Sequence, residues 1–198
     1  MKYNPELHHR KTIRLKGYDY SQNGVYFITA CIQGREELFG EIENKKMYLN
    51  DAGKMIDAQW NILSNRFGNI RLDAYIIMPD HFHGIIEIVN ATKNVGAPLV
   101  GALDMEDIIN NNQNVANVPN SNSTIGDIIG AFKSITTHEY INGVKNYDWR
   151  LFNIKLWQRN YYEQIVRDEN ALNKIREYII NNPYNWERDE LFLMENEF

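Results

Sequence analysis

Residues 75–89 read YIIMPDHFHGIIEIV, two apolar runs joined by Pro-Asp. A β-hairpin is the reading that fits. Proline presets φ for a turn and aspartate tolerates turn geometry, while β-branched and aromatic residues suit the arms. Strands are expected over 71–78 and 81–89. So apolar a hairpin has to be covered, and the rest of the chain offers cover. GVYFITACIQ (24–33) reads as another strand, and FGEIENKKMYLND (39–51) as a hairpin turning near Glu43 and Asn44. Asn50 or Asp51 can cap a helix, DAGKMIDAQWNILSNRF, with Met55, Ile56, Trp60, Ile62 and Leu63 at helical spacing. Ser123 or Thr124 can cap a second, over 124–141, with Ile125, Ile128, Ile129, Phe132 and Ile135 on one face. The segment 149–166 is aromatic and extended or mixed. A third helix runs over 168–182, with Asp168 near its start, the stripe Leu172, Ile175 and Ile179, and Pro183 as its stop. Hairpins interleaved with helices imply the α+β class rather than a doubly wound parallel sheet.

The 198 residues suit a single domain, and 43% hydrophobic with 12% aromatic content supplies a core. A net charge of −5 argues against a non-specific polyanion binder. One basic stretch stands out: HHRKTIRLKG (8–17) holds Arg10, Lys11, Arg14 and Lys16 without an acidic residue, within a basic N-terminal segment 1–20. Cys31 is the only cysteine, so no intrachain disulfide forms, and it is expected to be small, apolar and buried. The N-terminus lacks the apolar core of a signal peptide, and no apolar run is long enough to span a bilayer. A soluble, cytoplasmic protein with no membrane partner is expected. From about 93 to 122 the sequence is asparagine-rich and poor in aromatics, and a mobile exposed insertion is expected there.

In a strand, residues two apart face the same way, so His81 and His83 project together while Phe82 points to the other side. Spacing alone leaves two readings open: satisfied polar residues at a sheet end, or two ligands of a divalent cation. Placement after a tight turn makes the pair rigid and accessible, which favours a site. Such a site needs a further ligand and a reacting group. Tyr178 and Asn182 share one face of the last helix, four residues apart. A core-edge tyrosine and a helix-ending asparagine are the plain alternatives.

MPDHFHGII, followed by LWQRNYYEQIVRDE and then IREYIINNP, resembles the REP-associated tyrosine transposases and their insertion-sequence relatives. These are HUH single-tyrosine nucleases, named for histidine, hydrophobic residue, histidine. The resemblance runs from residue 10 to residue 186. It implies a ferredoxin-like or RRM-like antiparallel sheet flanked by helices. It implies that His81 and His83 bind Mg2+ or Mn2+ with Asn182 as third ligand. In many insertion-sequence relatives glutamine holds that last position, so the shorter asparagine is a departure. Tyr178 takes the place of the nucleophile, whose attack on a scissile phosphate gives a 5′-phosphotyrosyl link. A free phenol has a pKa of about 10 and needs help to ionise. The implied partner is single-stranded or hairpin DNA, and the protein acts as monomer or homodimer.

Tyr161 and Tyr162 are rival nucleophiles, read instead as packing or base-stacking residues beside Gln158 and Arg159. Lys133, Arg167 and the basic stretch are candidate phosphate contacts. Glu87 shares the histidine face and reads as an exposed carboxylate. Two other functions stay open: a nucleic-acid-binding module of the same fold that cleaves poorly, and a metal phosphohydrolase without a covalent step.

Overall fold

A computed structural model describes residues 22–89 and 123–188. The basic residues Arg10, Lys11, Arg14 and Lys16 and the insertion over 93–122 lie outside them.

Strand β1 (Gly24–Cys31) is followed by a small separate hairpin, β2 (Gly40–Glu43) and β3 (Lys46–Leu49). Asn44 and Lys45 turn it with φ of 49° and 63°, the left-handed pair that matches the twist of a two-residue hairpin. Helix α1 (Asp51–Asn61) starts where the Asn50 side chain accepts from Gly53 N at 2.9 Å. The expected single helix to Phe67 is broken at Ile62, and a short α2 (Leu63–Arg66) follows. Strands β4 (Ile70–Ile77) and β5 (His81–Ile88) form the hairpin anticipated across Pro79-Asp80.

Helix α3 (Ile125–Tyr147) opens on a capping box between Thr124 and Asp127 and runs further than its apolar stripe suggests. Strand β6 (Tyr162–Val166) and helix α4 (Glu169–Asn181) complete the order. Asp168 caps α4 through Ala171 N. Pro183 does not stop the chain from turning: a 3-10 segment, Asn182–Arg188, carries it on, since proline is tolerated in a first helical turn.

The main sheet has the order β4-β5-β1-β6, antiparallel throughout. Leaving the small hairpin aside, strand-helix-strand-strand-helix-strand is the ferredoxin-like α+β arrangement. Its two faces bury different residues. Tyr26, Ile28, Phe82 and Ile86 meet Ile56 and Trp60 of α1 and Ile129 and Phe132 of α3 in the larger core. Phe27, Ile85 and Val166 meet Leu172 and Ile179 of α4 in the smaller one. Alternation along the strands produces this division. It sends the odd-numbered residues of β5 toward α4.

Candidate active site on the face of the sheet beneath the last helix

β5 is paired on both sides, to β1 and to β4, so its position is fixed by two ladders. His83 lies opposite Thr29 on β1 and Ile76 on β4, and His81 opposite Cys31. The two imidazoles meet edge to face with Nε2 atoms 2.9 Å apart. One correction follows. The pair was expected to be accessible, yet His81 is 0% and His83 1% exposed. Phe27 stacks on His83 and Trp186 on His81, and the Tyr178 ring lies edge-on to His83.

Each ring is held from its far side. Asp80 Oδ1 is 2.6 Å from His81 Nδ1, and Asp80 Oδ2 is 2.7 Å from Arg35 Nε. A carboxylate only accepts, so His81 carries its proton on Nδ1 and turns the Nε2 lone pair toward His83. Thr29 Oγ1 is 2.8 Å from His83 Nδ1. A hydroxyl both donates and accepts, so Thr29 can serve either tautomer of His83. Sequence reading missed Thr29, Arg35 and Asp80. Asp80 had been assigned to the turn alone, and only the register of β1 against β5 reveals Thr29.

Tyr178 reaches the pair from α4, its hydroxyl 3.2 Å from His83 Nε2 and its ring edge-on to Phe27. The helix is tied to the sheet edge by Arg176, which donates to both oxygens of Asp73 at 3.1 and 2.6 Å. Asp73 lies at the irregularity in β4 between Leu72 and Tyr75. Asn182 sits one turn beyond Tyr178 on the same face, still with helical φ and ψ, and is fully buried.

Two imidazole nitrogens with an amide oxygen make a borderline donor set that could serve a first-row divalent ion. Two ligands at right angles about an ion, each about 2.1 Å from it, are about 3.0 Å apart. The observed Nε2 separation of 2.9 Å is that of a hydrogen bond between the two rings, and an ion between them would take the place of that bond. Among the described residues no group of three or more His, Cys, Asp or Glu side chains is arranged to hold a metal. A third protein ligand would be an amide such as Asn182.

The remaining residues divide by face. Tyr162 packs with Phe27 in the smaller core, and burial raises its phenol above the ordinary tyrosine value. Tyr161 packs against the larger core, on the other side of β6. Lys133 Nζ donates to the carbonyls of Gln158, Arg159 and Asn160 at 2.5, 3.3 and 3.2 Å, and burial pulls it down to about 8. It braces that segment from within. Gln158 Nε2 donates to Ile32 O at 3.4 Å, while Arg159 and Arg167 are exposed. Cys31 is partly exposed rather than buried, because it ends its strand, and Arg35 donates to its sulfur at 3.3 Å. Glu87 pairs at the surface with Arg71 at 3.7 Å. No helix among the described residues is long and apolar enough to cross a membrane.

No protein-family model matches the sequence. A protein of Haemophilus influenzae, described as uncharacterized, is 40% identical over 195 residues, or 97% of this chain and 98% of its own length. Among solved structures, a REP-associated tyrosine transposase bound to a REP hairpin superposes with a TM-score of 0.51. That match has 14% identity and covers 87% of this chain and 73% of the other.

Proposed function

This chain belongs to one family with the Haemophilus influenzae protein and has the fold of the REP-associated tyrosine transposases, and on that premise we propose that it cuts and rejoins single-stranded DNA. The observation that carries the reading is the Tyr178 hydroxyl, 3.2 Å from the Nε2 atom of His83, which itself faces His81 Nε2 at 2.9 Å. A hydroxyl nucleophile and a pair of imidazole donors thus converge on one point.

His81 and His83, with Asn182, would hold Mg2+ or Mn2+. Bound there, the ion supplies Lewis-acid polarisation of a non-bridging phosphate oxygen. Asp80 and Thr29 keep the imidazoles turned inward. Phe27 and His83 hold the Tyr178 ring, and attack in line with the leaving group needs a nucleophile held in this way. The phenol gives its proton to solvent and forms the new P–O bond. The bond from phosphorus to the 3′-oxygen breaks, and that oxygen takes a proton from solvent and leaves as a hydroxyl. The 5′-phosphotyrosyl product keeps a phosphodiester's worth of bonding, so a second 3′-hydroxyl can reverse the step without ATP. Because both histidines are buried, a phosphate reaches the pair only when a covering side chain shifts, and Trp186, beyond the end of α4, is the one that does not hold Tyr178.

The partner proposed is single-stranded DNA presented by a hairpin; the transposase of like fold is bound to a REP hairpin. The test is incubation with a labelled hairpin oligonucleotide and Mn2+, followed by denaturing electrophoresis. A slow-migrating covalent adduct is expected. Binding without cleavage would mark a binding module, and cleavage without adduct a metal phosphohydrolase.

A further inference from the structure

Beside the histidine pair lies a cleft of about 480 Å³ that the cutting reaction does not use. One wall is the turn of the small hairpin, with Asn44 and Lys45. The other is the 3-10 segment after α4, with Pro183, Tyr184, Asn185 and Trp186. We propose that this cleft binds one unstacked nucleobase of the single strand, next to the nucleotide whose phosphate meets Tyr178. The inference rests on the DNA reading above and adds a site to it.

Four observations support it. The cleft adjoins the active site: Trp186 lines it and also stacks on His81, with ring centroids 6.0 Å apart and planes 15° from parallel. It offers aromatic surface to an open space: Lys45 covers one face of the Tyr184 ring, and Tyr184 is still 62% exposed. Bases stack on such rings whatever their identity. Among the described residues that line it, the charged one is a cation, Lys45, whose Nζ lies 3.7 Å over the Tyr184 ring. A cation held there serves the phosphate of a stacked nucleotide. Finally, Asn44 and Asn185 line the cleft with amides, which both donate and accept and so suit the edge of a base. The volume admits a base with its sugar and does not admit a duplex.

The walls are also held. Asn44 and Lys45 occupy a left-handed turn that leaves little freedom, and β3 packs against the 3-10 segment. The hairpin wall of the cleft is therefore formed before DNA arrives.

The test uses the full chain and single-stranded oligodeoxythymidine 20-mers carrying 5-iodouracil at successive positions. After irradiation, cross-linked peptides are identified by mass spectrometry. Cross-links to Tyr184 or Trp186 are expected. Tyr184→Ala should weaken binding about tenfold, within the range of a single base stack. Lys45→Ala should reduce the slope of log affinity against log salt by about 0.7, as loss of one phosphate contact to a single strand does. Neither change should alter the circular dichroism spectrum. If the oligonucleotide binds with unchanged affinity in both variants and its cross-links map elsewhere, the cleft is not the base site, while the DNA reading stands. If neither the 20-mer nor a hairpin oligonucleotide binds to the wild-type chain at all, the DNA reading fails and takes the cleft with it.

Discussion

Asp80 Oδ1 lies 2.6 Å from His81 Nδ1, at the turn that starts the strand His81 begins. One residue thus shapes the hairpin and sets the protonation of its neighbour. If the pair binds a cation, Asp80 is a positioning residue for it. Asp80→Ala should weaken Mn2+ binding about 10- to 100-fold, the usual effect of losing such a partner. Asp80→Asn keeps an acceptor oxygen and should recover part of that. Titration followed by electron paramagnetic resonance reads the affinity without any DNA. Imidazole 15N shifts of the metal-free protein read the tautomer. Equal affinity and unchanged shifts in all three proteins would contradict the assignment.

A second prediction concerns the anchor of α4. The Arg176 hydrogen bonds hold the Asp73 carboxyl below its ordinary value of 3.8, against a smaller opposing effect of burial. A carboxyl depressed in the folded state stabilises the fold above its unfolded value and stops doing so as pH falls through the folded one. Wild type should therefore melt higher than Asp73→Asn at neutral pH. The gap should close at pH well below 3.8, and shrink in high salt because the pair is partly exposed. A gap independent of pH would show that the pair adds nothing as charges.

A third concerns Gly84, between His83 and Ile85. A Cβ there would lie 2.7 Å from Trp60 and 2.8 Å from the Phe82 ring. Gly84→Ala should destabilise by about 1–3 kcal/mol, the usual cost of overpacking a core. Urea unfolding measures it, and an unchanged midpoint would mean that the core beneath the histidines yields easily.

Much of this is legible in the sequence. The Pro79-Asp80 hairpin, the Asn50 and Asp168 caps and the stripe Leu172, Ile175, Ile179 are local signals, and local signals survive in sequence. The facing of His81 and His83 follows from strand alternation alone. What was not legible depends on register and packing. Thr29 reaches His83 only because β1 and β5 pair as they do. The burial of the histidines depends on rings from β1, from α4 and from beyond Pro183. Lys133 looked like a surface cation because its three carbonyl partners lie 25 to 27 residues away in the chain.

The central claim is that Tyr178 is the nucleophile, and its hydroxyl is the most direct thing to remove. Tyr178→Phe keeps the ring edge-on to Phe27 and should cost about 0.5–1.5 kcal/mol of stability, the value of one hydrogen bond. Phenylalanine cannot attack phosphorus. With a labelled hairpin oligonucleotide and Mn2+, wild type, Tyr161→Phe and Tyr162→Phe should each give a covalent adduct on a denaturing gel. Tyr178→Phe should bind the oligonucleotide and give none. An adduct that persists in Tyr178→Phe and disappears in Tyr161→Phe or Tyr162→Phe would contradict the account.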